Sequence, residues 1–264
     1  MMVHIIKSDI FRLRKGAAVR NVLLAGILII VITGINMSGS SSGFGGVGVQ
    51  STASAARSLP GNGAEFLQQM RDDGLFPFFI LAFAVAVLGA EYSTGTIRNS
   101  LSYFVDRRKV YYAKCLTGLL CCLVYSCLCL IVSFIVGTLL FGLGGFSLTL
   151  FIKVLLQLLL SIPLYIGMIA IGHGLLVFTK RTSITIATYL IGLIVFPSFT
   201  NQLYQLFSKA EWLQLCDPLS AFSVLSRFWE FPSGTVGMIL LFWLFLDVLL
   251  LFAGSRLYAT ADIA

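Results

Sequence analysis

Apolar residues run almost unbroken through Val19–Met37, Leu75–Ala90, Leu116–Phe141, Phe146–Phe178, Ile184–Phe199 and Gly234–Gly254. A helix that crosses the hydrocarbon of a bilayer needs about 20 such residues. None of the stretches alternates polar and apolar positions as a membrane barrel strand does, and a helix satisfies its own backbone in lipid, so each predicts a membrane-spanning helix. The fourth stretch is longer than a crossing requires. It is expected to start in the interface or to tilt, with the Lys153 stem reaching toward the headgroups. The fifth is short and is interrupted by Pro197.

The segments between the apolar runs have patterns of their own. Residues 1–18 carry Val3, Ile6, Ile10 and Leu13 on one stripe, with Lys7, Arg14 and Lys15 on other faces, which predicts a helix lying in the membrane interface. The first outer loop, 38–73, is Gly/Ser-rich in its first half, while its second half, "GAEFLQQMRDDG", predicts a short helix stopped at Gly74. The stretch 200–233 is too apolar for an ordinary loop and predicts one or two short helices dipping into the outer leaflet. Between the second and third runs lies a polar, basic island, 91–114, where Ile97, Leu101 and Phe104 share one helical face after Gly95 and the capping residue Thr96. The expected fold is all-α: a six-helix transmembrane bundle in a single domain, 1–264, with an interfacial N-terminal helix, a cytoplasmic helix and short re-entrant-like outer helices before the last span.

Composition supports this and excludes a soluble class. The 264 residues are 58% hydrophobic and 11% charged, with a mean hydropathy of +0.96, against about 25% charged residues in an ordinary soluble domain. The formal charge is +7, and its placement matters more than its size. With both termini inside, the inner segments hold 13 of the 18 lysines and arginines, and only Arg57, Arg71, Lys153, Lys209 and Arg227 fall outside. Cytoplasmic loops carry the Lys/Arg excess, so a multi-pass protein of a bacterial-type cytoplasmic membrane with both ends and the island inside is expected. The basic residues are topology signals, and no nucleic-acid partner is implied. The "ASA" at Ala53–Ala55 lies too far from the first apolar run for a signal-peptide cleavage site, so that run is expected to stay as a span.

Candidate chemistry is sparse. Cys115, Cys121, Cys122, Cys127 and Cys129 crowd the third run without the C-x-x-C spacing of metal or redox sites, and they read as small packing residues. No phosphate loop or H-E-x-x-H motif occurs, and no catalytic residue and no metal ligand is assigned. His173 and Asp247 each lie seven residues from the inner end of a span, and they are expected to pair, as a structural pin before a proton relay. Ala82, Ala86 and Ala90 repeat at four-residue spacing and form a candidate helix-packing face, within the chain or toward a second copy. The prolines at 163 and 197 read as bends or flexing points.

The island also carries a resemblance. Glu91, then Gly95-Thr96-Ile97-Arg98, Leu101, the basic Arg107-Arg108-Lys109 and Lys114 at the head of the next span resemble the first intracellular loop of type-2 ATP-binding-cassette transporter permeases. The order of interfacial helix, six spans, long first outer loop and dipping helices is similar to that family over essentially the whole chain. In such permeases this loop is the coupling helix that docks on a separate ATPase subunit. The resemblance therefore implies ATPase coupling through Gly95, Thr96, Ile97, Arg98, Leu101 and Phe104, with ATP and Mg on the partner and no cofactor in this chain. It further implies a dimer with a second permease, identical or not, in membrane lipid. The expected function is the permease subunit of an exporter, not an enzyme, moving a hydrophobic or amphipathic cargo such as a peptide, drug or lipid-like molecule. A secondary transporter or channel subunit, which would show repeats and more buried charge, and a membrane immunity or sensor protein are the alternatives.

Overall fold

The computed structural model describes residues 2–15, 17–40, 60–72, 76–94, 106–206 and 216–260. Ten helices and no strand occur among them: α1 (Met2–Lys15), α2 (Ala17–Ser40), α3 (Gly63–Asp72), α4 (Phe76–Thr94), α5 (Arg107–Phe141), α6 (Leu148–Leu160), α7 (Ile162–Thr179), α8 (Thr182–Leu206), α9 (Pro218–Ser226) and α10 (Ser233–Thr260). Five helical runs are long and apolar enough to cross a membrane, namely α2, α5, the pair α6–α7, α8 and α10, and α4 carries a shorter apolar stretch over Phe78–Gly89. The chain is an all-α integral membrane bundle.

The 35-residue α5 is the axis of the bundle. Leu116, Leu120, Val124, Leu128, Ile131, Ile135 and Leu139 are all exposed and recur at spacings of three and four, so one continuous apolar stripe faces outward. The opposite face buries Lys114, Thr117, Gly118, Cys122, Tyr125, Ser126, Cys129, Ser133 and Gly137. A soluble helix does the reverse. In lipid, apolar surface gains nothing by hiding, so the interior goes to small and polar residues that let backbones approach and can hydrogen-bond across helices. Ser126 and Tyr165 do so, with hydroxyls 3.3 Å apart between α5 and α7. The buried cysteines recur at seven-residue spacing because that spacing keeps them on the inner stripe.

At the far end of α5 the helix predicted in the first outer loop is present as α3. Asn62 caps it by accepting from the Glu65 N–H at 3.0 Å, and Glu65 reaches back to the Gly61 N–H at 2.7 Å, a reciprocal capping box. Phe66 is fully buried. It lies 5.4 Å from the Phe141 ring, centroid to centroid. α3 and α5 cross with backbones in contact: a Cβ on Gly137 would stand 2.9 Å from the Gly63 carbonyl oxygen, and one on Gly63 would stand 2.9 Å from the Gly137 carbonyl carbon. Backbone on both sides cannot yield as a flexible side chain can. Gly137→Val is therefore expected to destabilise by about 1–3 kcal/mol through overpacking. Gly237→Ala, which adds its Cβ in open space on α10, should be neutral or stabilising by up to about 1 kcal/mol. Thermal unfolding of the purified protein compares the two.

Two expectations need correction. The fourth apolar run is not one tilted helix. It breaks at Ser161, whose hydroxyl donates to the Gln157 carbonyl at 2.8 Å, and Pro163 sits in the first turn of α7, where its missing N–H is harmless. Pro197, in contrast, does not interrupt α8, which runs from Thr182 to Leu206 with the proline inside it. On α4, Ala82 and Ala86 are half-buried. Ala84 meets Gly172 of α7, where an added Cβ would stand 3.0 Å from Ala84 Cβ. Gly89 meets Thr182 in the same way. The Ala90 side chain lies outside what the structure describes. Of the stretch 200–233, the described residues hold the end of α8 and the short α9, capped by buried Asp217, whose carboxylate accepts from the Leu219 and Ser220 N–H groups, while 207–215 lie outside the described residues.

Candidate functional site

Gly95, Thr96, Ile97, Arg98, Leu101 and Phe104 lie outside the described residues. What the structure describes is the base from which that segment projects: α4 ends at Thr94 and α5 begins at Arg107, with Asp106 as its N-cap accepting from the Arg108 N–H at 3.1 Å. Three further elements, α1, α7 and α10, converge on this base, and polar contacts join them to it.

The strongest contact is between α1 and α5. Lys114 Nζ donates to Asp9 Oδ1 at 2.7 Å, with both side chains almost fully buried. Arg12, one turn further along α1, lies 3.4 Å from the same carboxylate oxygen and reaches the Val87 carbonyl of α4 at 3.4 Å. One acidic side chain thus ties the N-terminal helix to α5, and its arginine neighbour extends the tie to α4. The apolar spacing of α1 points elsewhere: Ile10 is exposed, while Asp9 and Leu13, at i and i+4, are buried against the bundle. Lys114, read as a positive-inside marker, serves as a buried partner as well. The sequence signal for this pair is slight, an acid amid the basic residues of 1–18 and a lysine at the mouth of an apolar run.

A second contact joins α7 to α4 and α5. His173 is fully buried. Its Nε2 lies 3.1 Å from the Ala84 carbonyl oxygen, and its Nδ1 lies 3.3 Å from Cys115 Sγ. A carbonyl can only accept, so Nε2 carries the proton; Nδ1 of the neutral ring then accepts from the Cys115 thiol. One imidazole therefore bridges three helices, and Cys115 has a polar role that spacing alone did not reveal. On the α10 side, the Tyr112 hydroxyl donates to Ser255 Oγ at 3.2 Å, Arg107 donates to the Ala259 carbonyl at 3.3 Å, and the Tyr111 and Tyr258 rings lie 5.8 Å apart.

Asp247 does not join this network, and the expected His173–Asp247 pair is not formed. Both ring nitrogens of His173 are engaged elsewhere, and neither Asp247 carboxylate oxygen has a hydrogen-bond partner. The reason is axial position. Asp247 packs against Gly167, where an added Cβ would stand 2.8 Å from Oδ1. Gly167 lies about 9 Å along α7 from His173 at the rise of an α-helix. A buried carboxylate without a partner is costly at membrane depth, so Asp247→Asn, which keeps the shape and removes the charge, is expected to raise the thermal unfolding midpoint. A lowered midpoint would contradict the unpartnered placement.

The opposite end of the bundle holds two clefts. The first lies between α2, α3, α4 and α5 and is lined mainly by apolar groups, among them Ile29, Ile30, Met70, Phe79, Tyr125 and Leu130. The second lies between α3, α6 and the turn after α9. Lys114 and Gly137 mark the two ends of the bundle on α5. They are separated by about 35 Å at 1.5 Å per residue, close to the thickness of a bilayer core. Among the described residues no group of His, Cys, Asp or Glu is arranged to hold a metal ion.

Comparison with known families identifies one match: the family described as ABC-2 family transporter protein matches residues 13–254. No curated protein matches the chain.

Proposed function

The chain belongs to the ABC-2 family of transporters, and on that premise we propose that it is the permease subunit of an ATP-driven exporter, coupled to a separate ATPase through residues 95–105. The match over residues 13–254 carries the reading, and the polar base supports it. In this mechanism the ATPase subunits close on ATP and press on the segment that carries Thr96, Ile97, Leu101 and Phe104. That segment is anchored at both ends, by α4 and by α5. Displacement of either helix is passed on at once, to α1 through Asp9, Lys114 and Arg12, and to α7 through His173. A packed interior resists gradual deformation, so the spans move as bodies between inward-closed and outward-open arrangements. Two permeases and two ATPases make the working unit, with both termini of this chain on the ATPase side.

For the cargo we favour a hydrophobic or amphipathic molecule. The cleft between α2, α3, α4 and α5 supports this through its lining, which is mainly apolar, with Ile29, Ile30, Met70, Phe79 and Leu130 around the Tyr125 ring. Co-purification tests the function. The tagged full-length chain, expressed with its native partners, should retain an ATP-hydrolysing subunit through size-exclusion chromatography. Its ATPase rate should respond to an amphipathic peptide in proteoliposomes. A chain that purifies without any nucleotide-hydrolysing partner and moves solute down a gradient would overturn it.

A further inference from the structure

The second cleft, at the end of the bundle away from the Asp9–Lys114 pair, has a chemistry the transport mechanism does not use. It is lined by Gln68 and Arg71 of α3, Val154 and Gln157 of α6, and Ser226, Arg227, Trp229 and Glu230 of α9 and the turn that follows. Three of these side chains are buried polar groups with different duties. Ser226 donates to the Ser223 carbonyl at 2.8 Å within α9. Arg71 donates to the Val154 carbonyl at 3.2 Å, which fixes its guanidinium between α3 and α6. Gln157 is 1% exposed, yet its amide Nε2 has no acceptor, although it lines the cleft. A buried N–H₂ without a partner is costly, and here it marks a place for an acceptor from outside the chain.

The charge around that place is positive. Arg71 and Arg227 line the cleft, and Lys153 Nζ lies 4.8 Å from the centroid of the Trp229 ring at its edge. A single carboxylate, Glu230, opposes them, 3.9 Å from Arg227 with both side chains about half exposed. Guanidinium forks and amide donors converging on one acceptor-rich group suit a phosphate. The surroundings fit a phosphate with acyl chains attached. The cleft lies between α3, α6 and the turn after α9, and α6, which supplies its Val154 and Gln157, leaves Phe151, Leu155 and Leu159 exposed at four-residue spacing, an apolar strip beside the cleft for an acyl chain. We propose that this cleft binds the phosphodiester headgroup of an anionic membrane lipid.

The test needs no ATPase, so its outcome is separate from the fate of the coupling mechanism. The full chain is placed in nanodiscs of neutral phosphatidylcholine, and spin-labelled phosphatidylglycerol is compared with spin-labelled phosphatidylcholine by electron paramagnetic resonance. The native chain is expected to immobilise the anionic label in preference to the neutral one. Gln157→Leu and Arg227→Gln should each lower that preference severalfold, whereas Arg108→Gln, at the opposite end, should leave it intact. Arg71 is avoided because it also ties α3 to α6; Arg227, half exposed, can be changed without disturbing the fold. An undiminished preference in both cleft variants would overturn the assignment. So would displacement of the label by millimolar inorganic phosphate, which would place the same chemistry on a free anion.

Discussion

Replacing Asp9 with leucine is expected to destabilise the protein by about 3–5 kcal/mol, the typical effect of stripping one partner from a buried ion pair. The size follows from where the charges sit. Lys114 and Asp9 are both nearly inaccessible, and their contact at 2.7 Å is short even for a charge-assisted hydrogen bond. Removing the acid leaves an ammonium held between helices without its carboxylate. Removing the base instead, as in Lys114→Met, should cost less, because Arg12 stays 3.4 Å from Asp9 and its own side chain is 40% exposed. The double variant Asp9→Leu/Lys114→Met removes both charges and should recover most of the loss, since an apolar pair of similar volume often matches a buried ion pair. Thermal unfolding in nanodiscs, arranged as a double-mutant cycle, reads all three values. Strictly additive losses would contradict the direct pairing.

Five of the six expected spans were legible in the sequence because length and hydropathy alone decide them, while the second, on α4, has only the shorter apolar stretch Phe78–Gly89. The capping box at Asn62 and Glu65 was legible in part, as a short helix stopped near Gly74. What the sequence did not yield were facts about azimuth and depth. Counting seven residues from the end of a span placed His173 and Asp247 at one level. The structure sets Asp247 beside Gly167 and turns His173 toward Ala84 and Cys115. Neither direction can be read from spacing along one helix. The Asp9–Lys114 pair joins residues 105 positions apart, and each looked ordinary where it stood, one as an acid in a basic helix, the other as a topology marker. The helix break at Ser161 had a visible sign in Pro163, but an apolar run long enough to tilt offered a simpler reading. Gly63 and Gly137 met without warning because a close approach depends on two glycines in separate elements, and either alone is unremarkable in a span.

The second large effect concerns the segment between α4 and α5. On a helix, Ile97, Leu101 and Phe104 fall on one face at i, i+4 and i+7, an apolar ridge of the kind that seats in a groove of a partner. An aspartate at Leu101 or Phe104 would put a charge into that groove, where an unpaired ion costs several kcal/mol. With both positions changed, the association with the ATPase should be lost outright. The fold should be spared, because the buried anchors of the base, Asp9, Val87, Lys114 and His173, are on other elements.

The deciding measurement is capture of the ATPase subunit by the tagged full-length chain, native against Leu101→Asp/Phe104→Asp, at matched expression and matched thermal unfolding midpoint. The account predicts that the native chain retains the ATPase and the double variant does not. Retention of the ATPase at the native level by the double variant would contradict it.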